Sequence, residues 1–147
     1  MQKTIVVAGA AGFIGTHLVR TLLEQGHRVI GVDSLITGDT RRLRGLRASG
    51  RFVFKKHDIV RPLKISEPVH EIYNLACPAS PAQYFAHPFE TIAASVDGVR
   101  QLLAFAQAKQ ATFLHTSTSE VYGDPEVHPQ AETYVGAVNP IGPRACY

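Results

Sequence analysis

Only two cysteines, Cys77 and Cys146, occur among the 147 residues, too few for a disulfide framework, and both are expected to be free thiols. No CxxC, HxxxH or HExxH spacing appears among these cysteines and the seven histidines, so no metal site is expected. No apolar run reaches membrane-spanning length. Met1 leads straight into a strand-like segment with no secretory leader, which sets the expectation of a cytoplasmic protein without membrane association. Charge is sparse, at 18% of residues with a formal net charge of +3. Arg41, Arg42, Arg44, Arg47 and Arg51 do cluster, but no aromatic residue interleaves with them. That favours a solvated loop over a single-strand binding surface, and no nucleic-acid partner is expected. Repeats, low-complexity tracts and linkers are missing too. With 45% hydrophobic residues, the chain is expected to form one unit over residues 1–147 with a buried core.

What the sequence does contain is an alternation of strand and helix patterns. Residues Thr4–Ala8 (TIVVA) are a continuous apolar run suited to a strand buried on both faces. Residues 13–25 carry Ile14, Leu18 and Leu22 at helical spacing and stop at Gly26, and residues 28–32 (RVIGV) form the next strand candidate. Residues 51–56, 71–75 and 112–116 are further strand candidates. Ile92, Val96, Val99, Leu103 and Ala106 recur at spacings of four, three, four and three, which predicts a helix burying that face, with Pro88 near its start. The alternation implies an α/β fold, a doubly wound parallel sheet of the Rossmann type. Residues 117–142, rich in Ser, Thr, Pro and Gly, read as a long functional loop, and Pro143 as the first residue of a helix.

Directly after the first strand comes Gly9-Ala10-Ala11-Gly12-Phe13-Ile14-Gly15, a GxxGxxG spacing that opens a helix. Glycines there allow a tight turn, let the backbone approach a pyrophosphate, and let the helix lie close to the strand with its N–H groups facing the anion. Asp33 ends the second strand eighteen residues after Gly15. An acid at that place accepts hydrogen bonds from the ribose hydroxyls and repels a 2′-phosphate, so the expected cofactor is NAD.

Three later segments sharpen this. Asn74-Leu75-Ala76-Cys77-Pro78-Ala79-Ser80-Pro81, Thr116-Ser117-Thr118-Ser119-Glu120-Val121-Tyr122-Gly123-Asp124-Pro125 and Asn139-Pro140-Ile141-Gly142-Pro143-Arg144-Ala145-Cys146-Tyr147 follow in that order. Together with GxxGxxG they closely resemble the UDP-glucuronate decarboxylases (UDP-xylose synthases), of the extended short-chain dehydrogenase/reductase type. The resemblance spans essentially the whole chain. It implies that Gly9, Gly12, Phe13, Ile14 and Gly15 line the pyrophosphate, that Asp33 holds the adenosine ribose, and that Asp58 and Ile59 flank the adenine. Leu75 and Ala76 would pass beside the cofactor. Pro81 and Tyr84 would face the sugar nucleotide, as would Glu120. Thr118 would hydrogen-bond the sugar 4-hydroxyl, Tyr147 would be the base, and Ser119 and Glu120 would sit near the carbon that loses carboxylate. Ser34, Ser95 and Ala137 stand where that family usually has asparagine, and Val99 where it usually has threonine.

The implied reaction oxidises the 4-hydroxyl, decarboxylates the resulting β-keto acid and reduces the ketone, giving UDP-xylose and carbon dioxide with NAD regenerated. Its partners would be a UDP-sugar and, in the full-length form, a second copy in a homodimer. The family places a lysine four residues after the tyrosine, and Tyr147 is the last residue here. The expectation is therefore an incomplete sheet lacking the later strands and substrate domain, a front part inactive by itself. A dTDP-glucose 4,6-dehydratase-like enzyme shares the Thr-x-Glu-Val-Tyr-Gly layout and is the alternative; Ser119, where such dehydratases carry Asp, speaks against it. A module that binds NAD without catalysis is the other. Arg144 reads as a surface residue at a helix start, and Cys146 as a small packed residue.

Overall fold

Four consecutive side chains of β1 (Thr4–Ala8), Ile5, Val6, Val7 and Ala8, have no exposed surface, and they divide between two cores. Val6 and Ala8 face one side with Ile30, Val32, Ile72 and Leu102, while Ile5 and Val7 face the other with Val19, Leu22, Val29 and Phe52. This is the consequence of a period-two strand made wholly of apolar residues: it is stable only with both faces covered. The computed structural model describes residues 1–147, the side chain of Pro143 excepted.

β1 pairs in parallel with β2 (Arg28–Asp33) on one side and β4 (Glu71–Asn74) on the other. β3 (Phe52–Lys56) extends the sheet beyond β2, and β5 (Thr112–His115) beyond β4, giving the order β3-β2-β1-β4-β5. All five strands fall within a residue of their predicted bounds. The strand order reverses between β1 and β4, and in open parallel sheets such a reversal opens a crevice at the carboxyl ends of the strands. β5 is an edge, with Leu114 47% exposed.

Helix α1 (Phe13–Glu24) covers the Ile5/Val7 face through Val19, Leu22 and Leu23. Two of the remaining connections depart from simple strand–helix alternation. Residues 34–51 hold only two 3₁₀ turns, Thr40–Leu43 and Leu46–Ser49. Residues 57–70 cross the other face without a helix, burying Ile59, Leu63, Ile65 and Val69 one after another. The guanidinium of Arg28 anchors that crossing to the start of β2, donating from Nε to Glu67 Oε2 (2.6 Å) and from Nη2 to Oε1 (3.0 Å).

α2 (Pro81–Ala86) and α3 (Pro88–Ala93) each start on a proline, and α3 runs through a π-helical turn, Ala94–Gly98, into α4 (Val99–Lys109). Here the predicted buried face is corrected. Ile92, Val96 and Leu103 are 46%, 62% and 48% exposed, and the side against the sheet is Thr91, Gly98, Leu102 and Ala106. The π turn shifts the helical phase, and the helix comes so close that a Cβ on Gly98 would lie 2.5 Å from Ile59 Cδ1. Gly98 makes the close approach and Leu102 is fully buried on the same side, while Ile92, Val96 and Leu103 point outward.

Two measurements test this packing. Leu102→Ala is expected to lower unfolding free energy by about 2–5 kcal/mol in urea titrations, whereas Val96→Ala stays within about 0.5 kcal/mol. Equal losses at the two positions would contradict the inverted face. The second concerns Glu67, whose carboxyl is held below its ordinary value of 4.5, first by the hydrogen bonds from Arg28. A depressed carboxyl adds stability above its unfolded value and loses it as pH falls through the folded one. Glu67→Gln is thus expected to cost up to roughly 1 kcal/mol at neutral pH, the pair being one-third exposed, and progressively less as pH falls through the lowered carboxyl value.

Candidate functional site

The crevice at the strand ends is built around the turn that leaves β1. Gly9 adopts φ +80°, and a Cβ there would fall 2.7 Å from the Leu75 carbonyl oxygen. A Cβ on Gly15 would lie 2.0 Å from the Gly9 carbonyl oxygen, so the first turn of α1 rests directly on the loop. The N–H groups of Gly9 and Ala10 both donate to the Val32 carbonyl, at 2.8 and 3.2 Å. Asp33, 8% exposed, completes the turn: its Oδ2 accepts from Ala11 N–H (2.9 Å) and its Oδ1 from Leu35 N–H (2.8 Å). Arg42 Nη1 and Asp39 N–H both donate to the Ala11 carbonyl, at 3.2 and 3.0 Å. Gly12 caps α1 with no side-chain acceptor, and the first turn holds no acid. The leading N–H groups of Phe13, Ile14 and Gly15 therefore have no intrahelical acceptor and make an anion-favouring helix end.

A cavity of about 390 Å³ opens beside this turn. Of the residues expected to hold a cofactor, Gly9, Gly12, Asp33, Asp58, Ile59, Leu75 and Ala76 line it. Phe13, Ile14 and Gly15 do not: the side chains of Phe13 and Ile14 are 72% and 66% exposed, and Gly15 is packed under Gly9. What these three offer is backbone N–H alone. The wall also includes Ser34, Thr37, His57, Cys77, Phe89 and Glu90, none of them anticipated. Ser34 and His57 adjoin Asp33 and Asp58 in sequence, so adjacency was an available signal; Phe89 and Glu90 arrive from α3 with no motif to mark them. Cys77 is a free thiol whose titration is pushed up by burial, partly offset by a hydrogen bond shared with Ser95 Oγ at 3.4 Å.

A second cavity, of about 620 Å³, is walled by Thr118, Glu120 and Tyr147 together with Phe85, Asp124, Val138, Asn139 and Arg144. Thr118 caps the 3₁₀ turn Ser119–Tyr122, its Oγ1 accepting from Glu120 N–H (3.2 Å), which leaves the hydroxyl proton available. Arg144 Nη2 donates to Glu120 Oε1 in an ion pair. Arg144 is exposed at a helix start as expected, its side chain 59% accessible, and it also borders this cavity. Tyr147 follows the 3₁₀ turn Pro143–Cys146, its ring stacked on Tyr84 at 5.3 Å and 10°.

Besides Phe13, Ile14 and Gly15, three expected site residues, Pro81, Tyr84 and Ser119, fall outside both walls. Tyr84 is 2% exposed because it is the buried residue of α2, so it supports Tyr147 from beneath instead of facing a ligand. Pro81 is the exposed first residue of α2, and Ser119 points to solvent on its turn. Cys146 Sγ lies 3.8 Å from the Tyr84 carbonyl oxygen. No helix among the described residues is long and apolar enough to cross a membrane.

A five-stranded parallel sheet in this order, with a glycine turn and an acid at the carboxyl edge, defines a doubly wound nucleotide-binding architecture. The family model described as GDP-mannose 4,6 dehydratase matches residues 6–147, and the chain belongs to that family. It is 50% identical over 143 residues to UDP-glucuronic acid decarboxylase 1 of Arabidopsis thaliana, covering 97% of this chain and 32% of that protein. It is 47% identical over 146 residues to UDP-glucuronic acid decarboxylase 1 of Xenopus tropicalis, covering 99% of this chain and 34% of that one. The chain thus spans about a third of the length of these relatives. Among solved structures, it matches a UDP-glucose-4-epimerase from Stenotrophomonas maltophila with bound NAD and formylated UDP-arabinopyranose. The TM-score is 0.79 at 27% identity, over 97% of this chain and 44% of that one. A UDP-N-acetylglucosamine 4-epimerase from Methanobrevibacter ruminantium M1 in complex with UDP-N-acetylmuramic acid matches with TM-score 0.82 at 25% identity, over 99% of this chain and 48% of that one.

The site makes its own prediction. Asp33→Asn puts an amide NH₂ against one of the two N–H groups that the carboxylate now accepts. It is expected to cost about 1–3 kcal/mol of unfolding free energy, read by urea denaturation without ligand. Unchanged stability would show that the carboxylate does not hold the turn.

Proposed function

We propose that this chain is the NAD-binding portion of a UDP-glucuronate decarboxylase, with the activity belonging to the longer protein that its relatives represent. The observation that carries the reading is the pair of cavities: a glycine-turn crevice with an acid at its edge, and a second cavity that gathers Thr118, Glu120 and Tyr147. The crevice fits the cofactor: Gly9 and Gly12 line it without a side chain to fill it, and the first turn of α1, which follows Gly12, has no side-chain cap on its N–H groups. The names of the relatives and the NAD bound in a solved neighbour support the same cofactor and a UDP-sugar substrate.

In this reading the N–H groups of Phe13, Ile14 and Gly15 hold the pyrophosphate, with Gly9 and Gly12 lining the approach. Asp33 has one lone pair per oxygen engaged by the loop and offers the others to the ribose hydroxyls. Asp58 and Ile59 flank the adenine, and Leu75 and Ala76 run beside the rest. When bound, NAD supplies a hydride acceptor for oxidation of the sugar at its 4-position. Thr118 holds the 4-hydroxyl, and the Tyr147 side chain, as phenolate, takes its proton and becomes the neutral phenol. A ketone at that position makes the neighbouring carboxylate that of a β-keto acid, and Glu120, with Ser119 beside it, borders the carbon from which carbon dioxide leaves. The relatives at 47–50% identity favour this chemistry over 4,6-dehydration, as does Ser119 in place of an acid. A homodimer of the longer protein belongs to the same reading, with the outward stripe of Ile92, Val96 and Leu103 as apolar surface available to it.

The test substitutes this chain for the matching segment of the Arabidopsis relative and follows UDP-glucuronate by chromatography. UDP-xylose and carbon dioxide are expected, with Tyr147→Phe lowering kcat by at least about 100-fold. Calorimetry on the chain itself is expected to find NAD preferred over NADP. A swapped enzyme that consumes dTDP-glucose and leaves UDP-glucuronate untouched sinks the decarboxylase reading.

A further inference from the structure

The charge pattern of the second cavity asks for a role that the reaction outlined above does not assign. Among the described residues its wall holds three charged side chains, Glu120, Asp124 and Arg144. Two acids against one base leave it net negative, which repels an anionic sugar unless Arg144 meets it. Arg144 is placed to do so. Its Nη2 is engaged by Glu120 Oε1, while the guanidinium is a fork of five N–H donors, so Nε and Nη1 remain for a second carboxylate. Its side chain is 59% exposed. It also stands three residues before Tyr147, whose N–H donates to the Arg144 carbonyl at 3.1 Å. In a 3₁₀ turn, side chains three apart eclipse, so the guanidinium projects on the same side as the Tyr147 ring. As an exposed ion pair alone, Arg144–Glu120 contributes little to stability, and stabilisation gives no reason for a cation inside this wall.

We propose that Arg144 determines specificity for an acidic nucleotide sugar, binding the sugar carboxylate with the guanidinium donors that Glu120 leaves free. Glu120 orients the fork, and the fork holds the carboxylate between Glu120 and Tyr147. A lysine keeps the charge but not the planar fork, so it supplies this function only in part. The inference rests on the decarboxylase reading for the identity of the sugar acid.

The experiment titrates UDP-glucuronate, UDP-glucose and UDP into the NAD-loaded chain by calorimetry, for the wild type, Arg144→Gln and Arg144→Lys. Wild type is expected to prefer UDP-glucuronate over UDP-glucose on the order of ten- to a hundredfold. Arg144→Gln is expected to erase that preference and Arg144→Lys to restore part of it, with UDP affinity unchanged in all three as the control for folding. A wild type without the preference overturns the proposal, and so does a preference that survives Arg144→Gln. In the segment-swapped enzyme, Arg144→Gln is expected to raise KM for UDP-glucuronate more than it lowers kcat. An active swapped enzyme whose KM ignores the substitution overturns this inference alone. An inactive one whose binding preference still depends on Arg144 overturns the decarboxylase reading and keeps this one.

Discussion

The hydrogen bond from Ala11 N–H to the Asp33 carboxylate joins the end of β1 to the end of β2 across the mouth of the crevice. Most of the first cavity follows from it. With Ala11 held, the loop from Gly9 to Gly12 is fixed in space, and Gly9 can accept the left-handed φ that turns the chain beneath Leu75. With Gly9 fixed, its carbonyl sets the height at which α1 begins, since nothing larger than the hydrogen of Gly15 fits between them. The same carboxylate holds Leu35, at φ +68°, so the path of the chain away from β2 starts from the same point. Gly38 returns over it, where a Cβ would come 2.5 Å from Oδ1. Asp33 is therefore a structural fastener before it is anything else, and each of its oxygens keeps a lone pair that the loop does not engage.

This explains why the sheet and the first cavity were readable from the amino-acid sequence while other parts were not. β1 and β2 are buried on both faces, and that condition writes itself as unbroken apolar runs. The glycine turn is constrained by backbone approach, which only one residue type satisfies, so its spacing is explicit. The helix over the opposite face obeys a different constraint. Its contact with Ile59 demands the smallest residues, and Thr91, Gly98 and Ala106 carry little hydrophobic signal, while Ile92, Val96 and Leu103 carry a strong one on the outer side. Periodicity identified the helix and misplaced its face, because hydropathy measures size and apolarity together and the π turn shifts the phase. The crossing at 57–70 was invisible for a related reason: Ile59, Leu63, Ile65 and Val69 are buried singly, at spacings that fit neither strand nor helix.

The second cavity depends on side chains instead. Tyr147 is held by its stack on Tyr84, and the Arg144–Glu120 pair ties its turn to the turn after Thr118. Cys146 adds a contact to the Tyr84 carbonyl. Each contact reaches to α2 or to the 119–122 turn, and the sheet positions Tyr147 only through those intermediaries. Such relations between distant residues leave no local pattern. Resemblance singled out Thr118, Glu120 and Tyr147, but it could not tell that Tyr84 would be buried beneath the tyrosine or that Arg144 would pair with Glu120.

The two cavities thus differ in how they respond to sequence change. The first is bounded by backbone and glycine, so a single added methyl at Gly9 or Gly15 meets main-chain atoms that cannot move aside without shifting β1 or β4. The second is bounded by exposed or half-exposed side chains, which relax around a substitution at modest cost. A fold of this construction keeps one ligand geometry fixed while leaving the second wall free to vary. The glycine-bounded cavity then tolerates almost no added bulk, while the second takes changes of charge and shape at lower cost. Arg144 and Asp124 belong to that second wall, so a substitution at either changes the sign or size of its charge without disturbing the sheet.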